Sequence, residues 1–386
     1  MTDTICYVPF KELYIRPNGK FRNCCIQSRD QGKIDLEAAT NKDWFANDWE
    51  MHSVRNALTN NIKHPSCSKC WKLEEEGMQS YRQTWNKLYE ASGNNNLNTQ
   101  LEVIDLRLGN QCNLKCRMCN SSWSNQISSQ VAELRSLGVN NTYTQMDVKG
   151  TVKQTDKFLD DLFYLLKNTP TIKEIKLAGG EPLAMEEVEE LIFKLVEHNI
   201  TNIELSLLTN VTIVKDKIIA ELEKFKSTHI QCSIDGIGEL LEYQRYPCKW
   251  EVLERNFTKL YNSKLTVNLT PCWSNLNVLS IADFLEWTNQ YPKSYVAFNE
   301  VTTPSYFDWT TVPMSVRQPV IEKLKKIKLH DKVNKNYLVF IEHFKNKHRK
   351  FTEKEIIEYK DAVHCWDMVS KVKFHELYEW NTDIIK

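Results

Sequence analysis

The chain has 386 residues with 50 basic and 50 acidic side chains, so no net field singles out nucleic acid or an anionic membrane as partner. No apolar run approaches the roughly eighteen residues of a membrane span, and Met1-Thr-Asp-Thr-Ile lacks a basic-then-apolar leader, which points to a soluble, cytoplasmic protein. Twelve cysteines in such a compartment argue for metal or redox chemistry over disulfides, in a chain long enough for two or three domains.

Glu12-Leu-Tyr-Ile-Arg16 alternates as a strand, Pro17-Asn18-Gly19 is a turn signal, and Lys20-Phe-Arg-Asn-Cys24-Cys25 reads as the returning strand of a hairpin. Helical spacing follows from Leu36 to Asn60, and again from Trp71 to Tyr89 after Pro65-Ser-Cys67-Ser-Lys-Cys70. A hairpin that delivers Cys6 and Cys24 beside a Cys-x-x-Cys knuckle is a common way to build a four-thiolate site with Cys67 and Cys70. Cys24 and Cys25 compete for one of its positions, and spacing alone also admits a zinc ribbon. The polar stretch Ser92-Gly-Asn-Asn-Asn-Leu-Asn-Thr99 closes this first region, 1–97.

Leu101-Glu-Val-Ile-Asp-Leu-Arg-Leu is the next strand. Gly109-Asn110 ends it, which places Cys112-Asn-Leu-Lys-Cys116-Arg-Met-Cys119 on a loop at the strand's C-terminal edge. Three thiolates on one short loop suit three irons of a cubane cluster and leave the fourth iron open, an arrangement for binding a ligand more than for stapling a fold. A zinc loop is the alternative, although no histidine lies near. Strands are expected at 101–108, 172–178, 202–208, 229–235, 265–271 and 294–300. Helices are expected between and after them at 121–137, 156–167, 186–198, 215–226, 250–262 and 279–289. This alternation implies an α/β domain, 98–303, with a parallel sheet and right-handed crossovers, read for chemistry at the strands' C-terminal ends. Those ends carry Gly179-Gly180-Glu181, Thr209-Asn210, and Ser233-Ile-Asp235, with Arg245 ten residues on. The region 304–386 reads as helical, with segments near 318–328, 336–347 and 353–377 and basic runs that are solvated faces.

The spacing of Cys112, Cys116 and Cys119, with Met118 before the last, resembles the radical S-adenosylmethionine (radical SAM) family. The resemblance implies an open, partial (β/α)6 TIM-like barrel and an enzyme whose three cysteines hold a [4Fe-4S] cluster. S-adenosylmethionine would chelate the open iron and be cleaved to methionine and a 5′-deoxyadenosyl radical that abstracts a substrate hydrogen. Met118 falls within that cofactor-binding loop. Gly179, Gly180 and Glu181 look like the motif that takes the methionyl amino group. Thr209 and Asn210 look like the family's Thr-Asn-Gly, with Val211 in place of the glycine. Ser233 and Asp235 resemble its Ser-x-Asp-Gly, and Arg245 stands where related enzymes place a carboxylate-binding arginine.

The pattern Cys6, Gly19, Cys24, Cys67-x-x-Cys70 is similar to the SPASM/twitch auxiliary domain, which holds a second [4Fe-4S] cluster. Here it precedes the three-cysteine loop instead of following it, and the four residues between Gly19 and Cys24 select Cys24 over Cys25. With no further cysteine before Cys112, the one-cluster twitch form fits better. A flavodoxin- or ferredoxin-type reductant is implied. Peptide or protein modification ranks first for the substrate and a small molecule, sugar or nucleotide-like, second. A metal-stabilised binding module without catalysis is the third reading.

Overall fold

The computed structural model describes residues 4–39, 42–370 and 372–378. Seven strands form its main sheet: β1 (Glu12–Ile15), β2 (Phe21–Arg22), β3 (Val103–Arg107), β4 (Glu174–Ala178), β5 (Glu204–Thr209), β6 (Ser227–Cys232) and β7 (Thr266–Leu269). Their order is β2-β1-β3-β4-β5-β6-β7. β3, β4 and β5 run parallel, with Val103, Glu174 and Glu204 side by side. The helices Asn125–Ser136, Asp156–Asn168, Glu186–Glu197, Asp216–Leu222, Trp250–Tyr261 and Ile281–Thr288 stand where the apolar spacing put them. The result is the α/β architecture expected of a partial TIM-like barrel, followed by a helical C-terminal region.

Several elements differ from the reading of the sequence: among them, the helical run expected from Leu36 to Asn60 forms as Leu36–Ala39, Lys42–Asn47 and Trp49–Thr59, and the segment expected over 353–377 as Glu353–Val369 and Phe374–Leu377. The hairpin forms as expected, with β1 and β2 antiparallel, but β1 also pairs in parallel with β3, from Glu12↔Val103 to Ile15↔Leu106. It is therefore an interior strand, and all four of its residues are buried. The helix expected over 71–89 breaks at Gly77 (φ 76°) into Ser68–Glu75 and Tyr81–Ala91, the second opened by a Ser80–Gln83 capping box. The strand expected at 294–300 shrinks to β9 (Asn299–Glu300), which pairs with β8 (Cys272–Trp273) in a separate ladder. A single parallel bridge, Leu269↔Val296, is what remains beside β7. Pro271 supplies no N–H between Leu269 and Cys272, and the ladder is interrupted there.

Contacts divide the chain into two compact units. The first takes the described residues through Gly109 with Val152–Leu208 and Asp216–His229; the second takes Asn110–Thr151, Thr209–Lys215 and the described residues from Ile230 on. One core of the first unit gathers Tyr7, Val8, Val54, Leu58 and Trp71 around Cys6. One core of the second packs Ile127, Val131, Leu134 and Tyr243 against Tyr359, Trp366 and Phe374. The stretch from His364 lies on the helices Asn125–Ser136 and Gly238–Gln244, while Glu379 and Trp380 lie outside the described residues.

Candidate active site

The second unit contains the three-cysteine loop. Asn110 anchors its start, its amide donating to Ser121 O at 3.2 Å and Gly150 O at 2.7 Å. Cys112 N donates to Asn125 Oδ1 at 3.0 Å, and the Ser124 hydroxyl donates to Leu114 O at 2.8 Å, so the following helix start holds the loop. On its other edge Lys115 N donates to Tyr246 O (2.6 Å) and Arg117 N to Gln244 O (2.7 Å). Cys119 N closes a turn onto Cys116 O at 2.9 Å. The main chain that carries the three cysteines is therefore held on both sides.

Burial pushes the Cys116 thiol well above its ordinary value. The Arg245 guanidinium opposes this, while Cys112 and Cys119 add to it. Burial and then Cys112 push Cys119 up to about 12. Each thiol feels the others, and each must release a proton before it can bind a metal.

Of the other residues singled out in the sequence, Asp235 and Arg245 come to this loop together. Arg245 Nε and Nη2 both lie 2.6 Å from Asp235 Oδ2, and Nη1 reaches Cys116 Sγ at 4.0 Å. Asp235 Oδ1 accepts from Cys272 N at 2.9 Å. Asn210 donates to Asn113 Oδ1 at 2.9 Å, and Asn113 donates to Thr212 Oγ1 at 2.8 Å, which ties the loop after β5 to the cysteine loop. Thr209 accepts from Val211 N at 3.0 Å, and its carbonyl accepts from Ser233 N at 2.9 Å. Val211, a departure from the family pattern, sits fully buried at φ 64°. A β-branched residue there is strained, and Asn256 holds it by donating to Val211 O at 2.9 Å. Met118 packs, half-buried, against the core around Trp366.

Gly179, Gly180 and Glu181 belong to the first unit. Gly179 has φ 144°, and a Cβ there would lie 2.7 Å from Gly109 O, so the close backbone approach requires glycine. Gly180 N donates to Gly109 O at 3.1 Å. Glu181 is fully buried and accepts from Leu183 N at 3.0 Å.

The first unit also gathers Cys6, Cys24, Cys67 and Cys70 around one apolar cavity with Trp71, Tyr81 and Arg82. Burial raises all four thiols, Cys67 to about 11. Cys25 faces a different group: its sulfur lies within 4.8 Å of carboxylate oxygens of Glu12 and Asp105. Lys176 pairs with Glu12 at 2.5 Å and Arg107 with Asp105 at 2.5 Å, so that group is already charge-balanced. Sequence reasoning missed Asn113, Asn256 and this charged sheet face. Only the period-two placement of Glu12 with Tyr14, and of Asp105 with Arg107, hinted at the last.

Residues 106–288 match the family model of the Radical SAM superfamily, a superfamily of enzymes. No curated protein matches the chain. Among solved structures, native anSMEcpe with bound AdoMet is similar at 18% identity and TM-score 0.40, over 60% of this chain and 63% of that one. Streptococcus suis SuiB bound to S-adenosylmethionine is similar at 12% identity and TM-score 0.40, over 86% of this chain and 72% of that one. The same protein bound to its precursor peptide SuiA is similar at 13% identity and TM-score 0.38, over 91% and 73%. This chain thus spans less than two thirds of the anSMEcpe chain. No helix among the described residues is long and apolar enough to cross a membrane.

Proposed function

We propose that this chain is a radical SAM enzyme. Cys112, Cys116 and Cys119 hold its catalytic [4Fe-4S] cluster, and Cys6, Cys24, Cys67 and Cys70 hold a second, in a twitch-type arrangement. The observation that carries the reading is a loop whose backbone bonds present three mutually interacting thiols beside an arginine that is already paired. The donor chemistry fits: soft sulfur ligands suit iron–sulfur clusters.

When bound, a three-thiolate cluster supplies the electron and the open iron for reductive cleavage of S-adenosylmethionine. The chain's own residues orient that molecule. Within the first unit, Glu181 is a buried carboxylate of the kind an ammonium group pairs with, beside glycines that admit close backbone approach. Asp235 fixes the Arg245 fork next to Cys116, where it suits the methionyl carboxylate. In the second unit, Thr209 ends β5, and Asn210 and Ser233 directly follow β5 and β6 as hydrogen-bonding groups.

The hydrogen donor is a peptide or protein, on the likeness of the N-terminal cysteine pattern to SPASM/twitch domains, and the electron comes from a flavodoxin- or ferredoxin-type protein. Anaerobic reconstitution tests the ligand assignment. About eight irons and eight sulfides per chain are expected, falling to about four when either cysteine set is replaced by alanine. Stoichiometric zinc in place of iron would overturn the reading.

A further inference from the structure

Arg117 stands between Cys116 and Cys119, and the ligation just described gives its side chain no task. The residue is 2% exposed, and none of its three guanidinium nitrogens has a hydrogen-bond partner among the described residues. Arginine stays charged in proteins and carries five N–H donors, so burying them unmet is costly.

This fold satisfies another arginine buried as deeply. Arg317, fully buried in the same unit, donates to the carbonyls of Thr310, Val312, Phe344 and Lys347. Arg117 instead has ring faces: Tyr243 at 4.8 Å, Tyr246 at 5.3 Å and Trp366 at 5.6 Å from the guanidinium carbon. Rings attract a cation without replacing its counter-ion. Asp367 is the carboxylate whose field reaches Arg117, and it is engaged elsewhere. It accepts from Phe374 N at 2.9 Å and from the Tyr243 hydroxyl at 3.4 Å. The cage is not incidental to the loop, because Gln244 and Tyr246 accept from the backbone of Arg117 and Lys115. Cys116, its neighbour along the chain, also lies in its field, and its sulfur carries negative charge only once it gives up its proton to bind metal.

The geometry points to Arg117 as the counter-charge of the cluster held by Cys112, Cys116 and Cys119: a positioning residue whose buried, unpaired cation is satisfied only when that cluster forms beside it. Three thiolates outweigh the charge of an oxidised cubane core, and one-electron reduction adds a further negative charge. A fixed cation in a low-dielectric setting favours the more negative state, so Arg117 also makes the cluster easier to reduce. Before the metal arrives, the same charge destabilises the protein. The inference rests on the cluster proposed above and adds a role for a residue that ligates nothing.

Two variants test it, Arg117→Met, which removes the charge and keeps the bulk, and Arg117→Lys, which keeps a charge. The readouts are the melting temperatures of metal-free and reconstituted protein and the midpoint potential of the cluster whose EPR signal responds to S-adenosylmethionine. Arg117→Met is expected to melt no lower than wild type without metal, to gain less on reconstitution, and to shift the potential downward. Arg117→Lys is expected to stay near wild type in potential. An Arg117→Met protein that melts lower than wild type when metal-free, cannot be isolated folded, or keeps the wild-type potential overturns the inference. A wild-type loop that takes up no iron overturns the proposed function instead, so the two failures read differently.

Discussion

Replacing Asp235 with asparagine strands a buried cation. Asp235 is fully buried, its Oδ2 holds Nε and Nη2 of Arg245 at 2.6 Å, and its Oδ1 takes Cys272 N at 2.9 Å. An asparagine keeps one acceptor, and its amide nitrogen must face either the guanidinium or Cys272 N, donor against donor. Removing one partner of a buried ion pair costs on the order of 3–5 kcal/mol. That corresponds to a drop of roughly 4–6 °C in Tm for a protein of this size. Urea unfolding of the metal-free protein, followed by circular dichroism, measures the loss. Because the cost comes from the unpaired arginine, Asp235→Asn combined with Arg245→Met loses less than the sum of the two single changes, by about 2 kcal/mol or more. Additive losses, or a single-variant loss below about 0.5 kcal/mol, would refute the claim that Asp235 is there to hold Arg245.

Gly179→Ala puts a Cβ 2.7 Å from Gly109 O at a φ of 144°, where the obstacle is backbone. A cost of about 1–3 kcal/mol and at least tenfold weaker S-adenosylmethionine binding are expected, the latter read by equilibrium dialysis. Cys24→Ser is expected to reduce iron to about four per chain while Cys25→Ser leaves about eight, because only Cys24 faces the four-thiol cavity. Burial pushes the Glu355 carboxyl up, but hydrogen bonds from Arg349 and Thr352 N outweigh it and hold it at about 2. A depressed carboxyl stabilises above its unfolded value and loses that contribution as pH falls toward its folded value. Wild type should therefore lose on the order of 2 kcal/mol between about pH 4.5 and pH 2, and Glu355→Gln should lack the same amount at pH 7 when melted by heat.

The six helices between and after the strands were legible because each buries one face, so apolar residues recur at helical spacing. Leu191, Ile192 and Leu195 are an example, all buried in one helix. Strand existence was legible too, but not strand neighbours: nothing in Glu12-Leu-Tyr-Ile tells that β1 will insert beside β3. The cysteine sets were readable from spacing because metal geometry constrains short loops. Cys24 and Cys25 were separable only once the hairpin showed which sulfur faces the Cys67–Cys70 knuckle and which faces Glu12. Arg117 sat in view inside the motif, yet its cage comes from Tyr243, Tyr246 and Trp366, more than a hundred residues away in the chain. A pattern of neighbours along the sequence carries no record of such contacts.

The most direct test of the central claim is the product formed when reduced, reconstituted protein is incubated with S-adenosylmethionine under anaerobic conditions. The account predicts 5′-deoxyadenosine and methionine from wild type and neither from Cys112→Ala, Cys116→Ala or Cys119→Ala. Wild-type protein that carries its full iron and sulfide yet releases no 5′-deoxyadenosine would contradict it.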